Sequence, residues 1–295
     1  MVKIYLKILV LALPAFILVI IVGNVYSKGF IDYYYNKITA DGKSMIVGTS
    51  RSSQGIRPDE IMRNTNFEGP MLNFAMSSFD SPYSESYYNA ICSKIDKNAK
   101  NGLFIIEIEP QGTYQKKEAQ EQSHKLDLLL PLNSSPNYEY LYRNINPYYK
   151  LIQLNNITFP TTIQHSSGWL EVKLKLDSSQ IKKSSDSKYK STEPEIAKLE
   201  PSTERWDIIK KTIDNMKRHG KVFLVRLPAE NRFIELENNY LPDFNSRINS
   251  LAKEKNVKYL DLTYLNNECT YIDGNHLDSA SSLKISKLLN QLIQQ

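Results

Sequence analysis

The chain has 295 residues, 41% hydrophobic and 23% charged, a composition that fits a folded globular body with a real core. Its formal net charge is +5, and its 37 Lys and Arg are spread along the sequence rather than gathered in one run, which argues against a nucleic-acid-binding face. Cys92 and Cys269 are too few for a disulfide framework or a metal site, and allow either one long-range disulfide or two free thiols. His124, His165, His219 and His276 show no ligand spacing, so neither a metal nor a cofactor is expected.

Residues 8–26 read ILVLALPAFILVIIVGNVY, with Asn24 the clearly polar member. As a helix this stretch rises about 28 Å, close to the hydrocarbon thickness of a bilayer. Lys3 and Lys7 precede it, and flanking positive charge stays cytoplasmic. A cleaved signal peptide would carry a shorter apolar core followed by a small-x-small site, which this sequence lacks. Residues 1–27 are therefore read as a transmembrane anchor, with the N-terminus cytoplasmic and the rest extracytoplasmic. Residues 28–43, with the Tyr-rich IDYYYNK, are read as a membrane-proximal stalk, and 44–295 as the body.

Five short apolar runs bounded by turn residues are expected as strands: 44–49, 71–76, 102–108, 222–227 and 257–262. Helices are expected between them at 58–62, 84–100, 203–219 and 244–255. A last helix is expected at 279–294, capped by Asp278. Strands alternating with helices imply a parallel sheet covered on both faces, whose site lies beyond the carboxyl ends of the strands. Residues 111–201 interrupt this pattern as an insertion. Its Ser/Lys-rich part, 177–200, reads as an exposed mobile loop.

Gly48-Thr49-Ser50 follows the first strand directly, and Tyr271-Ile-Asp-Gly-Asn-His276 precedes the last helix. Both therefore come to the same edge of the sheet. A serine hydroxyl becomes a nucleophile beside a general base. His276 is the candidate base, and Asp273 the group that holds its tautomer. The plain alternatives are a strand-end serine held by turn amides and an Asx-turn at Asp273. Arg51, Arg57, Arg226 and Glu230 fall near the same edge as candidate substrate or support groups. His165 and Trp169 of the insertion are candidates for a cap.

The two blocks, in SMIVGTSRSSQGI and YIDGNHLD, resemble the first and last motifs of the SGNH or GDSL-like hydrolase superfamily. The resemblance is to its membrane-tethered bacterial branch, which includes the D-alanyl transfer protein and exopolysaccharide O-acetyltransferases. It covers about 44–108 and 222–295. It implies a three-layer flavodoxin-like α/β fold with about five parallel strands, and a catalytic set of Ser50, Asp273 and His276. It also implies oxyanion donors in the middle blocks, for which Ala75, Asn73 and Gln111 stand nearest. Here the sequence departs from the family, since Glu109-Pro110-Gln111 replaces the expected G-x-N-D. The implied activity is that of an extracytoplasmic serine esterase or O-acyltransferase on acyl esters of a cell-envelope glycan, with a membrane acyl-donor protein as partner. The alternative is a non-catalytic envelope glycan-binding or assembly protein that keeps the fold.

Overall fold

A computed structural model describes residues 2–27, 34–76, 83–116, 136–144 and 161–295. The five expected strands pair into one parallel sheet: β1 (Ser44–Val47), β2 (Met71–Asn73), β3 (Gly102–Glu107), β4 (Gly220–Arg226) and β5 (Lys258–Asp261). Their order is β2-β1-β3-β4-β5, the flavodoxin-like doubly wound arrangement. Side chains alternate across the sheet, as the period-2 pleat requires. Met45, Val47, Phe104, Ile106, Val222 and Leu224 face one side, while Ile46, Leu103, Ile105, Phe223 and Val225 face the other.

The longer helices are α1 (Val2–Tyr26), α2 (Ser50–Gly55), α3 (Glu85–Lys94), α4 (Ser178–Ile196), α5 (Thr203–Lys217), α6 (Asn231–Tyr240), α7 (Phe244–Lys255) and α8 (Ser279–Gln294). Of these α3, α5 and α7 cover one face of the sheet and α8 the other. On the first face Tyr87 and Ile91 of α3, Ile209 and Ile213 of α5, and Phe244 and Ile248 of α7 are buried. On the second, α8 buries Ile285, Leu289 and Ile293, an i, i+4, i+8 stripe in which each side chain contributes about 1.5–3 kcal/mol. Asp278 caps α8 by accepting the Ser281 N–H at 2.7 Å. Three layers result.

α1 is long and apolar enough to cross a membrane: within residues 3–25 an 18-residue stretch has a mean hydropathy of 2.8, and side chains such as Leu9 and Leu11 are exposed.

Three expectations change. The stretch 177–200 is not a loop, because most of it is the α4 helix. Asp177 caps α4 by accepting the Ser179 and Gln180 N–H groups, and Gln180 accepts the Asp177 N–H in return, a capping box. The stalk is shorter than expected. Residues 28–33 lie outside the described residues, but Tyr35–Thr39 is a helical turn with Tyr35 and Ile38 buried in the core, so it belongs to the body. The third change is α6, which was not expected. Of the insertion, 117–135 and 145–160 lie outside the described residues. Cys92 and Cys269 are free thiols.

Candidate active site

β1 ends at Val47, and the chain turns at once to begin α2 with Ser50. Gly48 makes that turn at φ +146°, a conformation that residues with a Cβ rarely adopt. A Cβ at this position would lie 2.5 Å from Glu107 Oε2 and 2.6 Å from Ser52 Oγ. Gly48→Ala is therefore expected to cost at least about 1–3 kcal/mol in strain. It should appear as a lower urea midpoint together with a displaced Ser50.

Thr49 caps α2, its hydroxyl accepting the Arg51 N–H at 3.2 Å. Ser50 thus sits at the first helical position above the carboxyl edge of the sheet. The Asp273–His276 loop arrives at the same edge from β5. The Ser50 Oγ lies 2.8 Å from His276 Nε2. Asp273 faces the other ring nitrogen, with Oδ2 2.9 Å and Oδ1 3.0 Å from Nδ1. Asp273 Oδ1 also accepts the backbone N–H groups of Asn275 and His276, at 3.1 and 2.9 Å. Burial alone would push the Asp273 carboxyl up. The hydrogen bond and charge of His276 outweigh it and, with the two N–H donors, bring it down to about 2. Asp273 is therefore a carboxylate at neutral pH, and as an acceptor it holds a proton of His276 on Nδ1. That leaves Nε2 free to accept from Ser50.

Beneath Ser50 lies a buried acid. Glu107, at the end of β3, is fully buried, and its Oε2 accepts from the Thr49 N–H at 2.8 Å, the Thr49 hydroxyl at 3.1 Å and the Ser52 hydroxyl at 3.2 Å. Burial, then the charge of Glu109, raises its pKa to about 8. The sign follows from the two states. Below the unfolded value of 4.5 the carboxyl is protonated in both, and its contribution to stability is fully present. As pH rises toward about 8 the unfolded chain ionises while the folded one keeps its proton, so that stability is lost. Glu107→Gln keeps an acceptor for Thr49 and removes the titration. The fall in denaturant midpoint between pH 5 and pH 8 is expected to shrink in the variant.

Arg51, next to Ser50, is 2% exposed and therefore no free anion-binding group, contrary to expectation. Its Nε and Nη2 donate to Asn275 Oδ1 at 2.9 and 2.5 Å, its Nε pairs with Glu109 Oε2 at 2.9 Å, and its Nη2 with Glu237 Oε1 at 2.5 Å. Glu237, on α6, also accepts from Arg226 Nη2 at 2.8 Å, and Arg226 Nη1 donates to Asn245 at 3.0 Å. Arg226 is 1% exposed, so it too is a support and not a substrate contact. Burial raises the Glu109 carboxyl as it does Glu107, whereas for Glu237 the charges of Arg51 and Arg226 outweigh burial and hold it below the usual carboxylate range. The network joins the residue after Ser50 to the residue before His276.

The expected oxyanion donors are used otherwise. Asn73 donates from Nδ2 to the Ser52 and Ile56 carbonyls, both at 2.9 Å, and its Oδ1 accepts the Ala75 N–H at 3.2 Å. Asn73 therefore pins β2 to α2, and the Ala75 N–H is already engaged. Gln111 lies in the turn Pro110–Thr113, and its carbonyl accepts from Arg205 at 3.5 Å. No described hydrogen bond links it to Ser50. Arg57 lies over the Trp169 ring at 4.3 Å and donates to Ser279. His165 stacks on Trp169 at 4.5 Å, and the indole N–H donates to the Gln54 carbonyl at 2.9 Å, so this pair covers α2. Glu230 pairs with Arg232 at 2.8 Å. Sequence reasoning missed Asn275, Glu107, Glu109 and Glu237. For Glu107 there was a signal, an acid inside the apolar strand GLFIIE.

Fold and site together define a doubly wound α/β protein with a Ser-His-Asp arrangement at the carboxyl edge of its sheet. Among solved structures the chain is similar to an inhibitor-bound aryl esterase of M. smegmatis, at 12% identity and TM-score 0.36. The match covers 85% of this chain and 98% of that one. It is also similar to Est24, a carbohydrate acetylesterase from Sinorhizobium meliloti, at 12% identity and TM-score 0.33, again covering 85% and 98%. No protein-family model and no curated protein matches the sequence. Likeness this shallow leaves the assignment to the topology and geometry above.

Proposed function

We propose that the chain is a serine esterase or O-acyltransferase of the SGNH type, acting on acyl esters of a cell-envelope glycan. The observation that carries this reading is the continuous chain of contacts from Ser50 Oγ through His276 to the Asp273 carboxylate. Ser50 attacks the acyl carbonyl while His276 Nε2 takes its proton, and Asp273 stabilises the resulting imidazolium. The collapsing intermediate receives that proton on its leaving oxygen. The acyl-enzyme then passes its acyl group to water or to a sugar hydroxyl by the same steps in reverse. The backbone N–H of Ser50, at the first helical position and without an intrahelical partner, is the donor nearest the developing oxyanion.

The apolar α1 and the lysines in its first turns, Lys3 and Lys7, support an anchored enzyme with its N-terminus in the cytoplasm and its body outside. That placement favours transfer beside a membrane acyl-donor protein over free hydrolysis. One observation favours a second reading, a non-catalytic glycan-binding or assembly protein: the Ala75 N–H is spent on Asn73, and an Asn is missing after β3. The two readings separate on a fluorophosphonate probe applied to the full-length protein beside Ser50→Ala. The enzyme reading expects labelling that disappears in the variant. Equal labelling of both, or none of either, supports the binding protein.

A further inference from the structure

The inserted α4 helix is laid against the His276 loop. Gly274, at φ +78°, has no room for a side chain: a Cβ there would lie 2.5 Å from Phe233 Cε2 and 2.6 Å from Glu230 Oε2, with the Ser185 hydroxyl closer still. On its packing side α4 buries Ser185, Thr192 and Ile196 and sets Tyr189 edge-on to Phe233 at 5.6 Å. Ser185 donates to Glu230, and Arg232 bridges to Asp186 at 2.7 Å and to Ser185 at 2.5 Å. Lys182 also pairs with Asp186, at 2.8 Å. Lys182, Asp186 and Arg232 are therefore paired with one another.

The other side is different. Gln180, Lys183, Ser184, Ser187, Lys188 and Ser191 line a cleft of about 490 Å3 whose remaining wall is Asp273. At about 100° per residue, the four neutral groups fall within about 60° of one another, with Lys183 on one border and Lys188 on the other. They form a floor of three hydroxyls and one carboxamide between two ammonium rims. Among the described residues neither lysine has an acidic partner, whereas Asp273 is engaged by His276 and two backbone N–H groups. Lys182 and Asp186 are thus paired on the side of the body, while Lys183 and Lys188 border the cleft beside Ser50, His276 and Asp273; Glu195, farther along the same face, is paired with Lys198.

We infer that this face of α4 is a subsite for an anionic glycan segment. Its sugar hydroxyls would lie on the Ser/Gln floor and its carboxylate or phosphate groups against Lys183 and Lys188. The inference deepens the esterase or acyltransferase reading and rests on it for what the bound glycan does, since the segment would lie beside the triad as acceptor or acyl carrier. The hydroxyl floor supplies direction and the ammonium rims supply salt-sensitive attraction.

The test is calorimetric titration of the full-length Ser50→Ala protein in detergent at low salt. Three probes of matched length are used: an oligogalacturonate, a glycerol-phosphate oligomer and a neutral dextran oligomer. Ser50→Ala silences turnover, so this measurement stands apart from probe labelling of Ser50 in the parent chain, and either reading can fail alone. A charged oligomer is expected to bind at least about tenfold tighter than dextran, and the tighter of the two identifies carboxylate or phosphate as the anion. Adding Lys183→Glu with Lys188→Glu is expected to weaken it about tenfold or more, and the milder Lys183→Gln with Lys188→Gln about threefold. Lys182→Glu, on the matched side, should leave it within about twofold. Dextran binding as tight as that of the charged oligomers, absence of binding by all three, or paired lysine variants that bind like Ser50→Ala alone would overturn the inference.

Discussion

Arg51→Ala is expected to destabilise the protein by about 3–5 kcal/mol, the cost of leaving buried carboxylates without their counter-charge. Glu237 is fully buried and Glu109 nearly so, and Arg51 is the ion partner of both. Arg226 still compensates Glu237 from its other oxygen at 2.8 Å, while Glu109 has no second ion pair with an arginine or lysine among the described residues. Total stabilities of about 5–15 kcal/mol make such a loss visible as a large drop in denaturant midpoint. The same change removes the tie between the turn carrying Ser50 and the loop carrying His276. Stability and alignment separate in Asn275→Ala, which leaves every charged group in place. That variant is expected to cost only about 1.5–3 kcal/mol, the range for a hydrogen bond to a charged group. Its probe-labelling rate at Ser50 should nevertheless fall clearly under conditions where it is fully folded. A labelling rate equal to that of the parent would mean that the clamp serves the fold alone.

The second large effect is catalytic. Asp273→Asn is expected to lower kcat by about 10^4-fold, the scale set by the wrong imidazole tautomer in serine triads. The geometry makes this a clean substitution. The Asn carbonyl oxygen can still accept the N–H groups of Asn275 and His276 that Asp273 Oδ1 now holds, so the loop keeps its shape. The amide nitrogen, however, faces His276 Nδ1 and demands that it accept. The proton then moves to Nε2, and Ser50 loses its base. Esterase assays on an acetyl ester, run beside a thermal melt, should show near-parental stability with activity lost. An active Asp273→Asn enzyme would remove Asp273 from the mechanism.

What the sequence made legible follows from distance along the chain. Five strands, their helices and the two terminal blocks are local patterns, and Ser50, Asp273 and His276 come together because parallel topology brings strand ends to one edge. The clamp was not legible. Arg51 meets Glu237 across 186 residues and Asn275 across 224, and no local period marks such pairs. Arg51 and Arg226 read as candidate substrate or support groups at the site edge, and arginine is usually exposed, whereas here each is buried against acids contributed by other elements. Asn73 and Ala75 were placed at the correct edge, but their polar atoms bond each other and α2. α4 was hidden by its composition. Ser185 and Thr192 form its packing face where apolar residues would normally mark one. The Asp177–Gln180 capping box was the signal that would have revealed it.

The most direct test of the central claim is to trap the acyl-enzyme. Full-length protein is mixed with an activated acetyl ester, quenched in acid within the first turnover and digested for peptide mass spectrometry. The account predicts one acetyl group on the peptide containing Ser50, absent in Ser50→Ala and sharply reduced in Asp273→Asn. Turnover of the ester with no acyl group on Ser50, or with equal acylation of both variants, would contradict it.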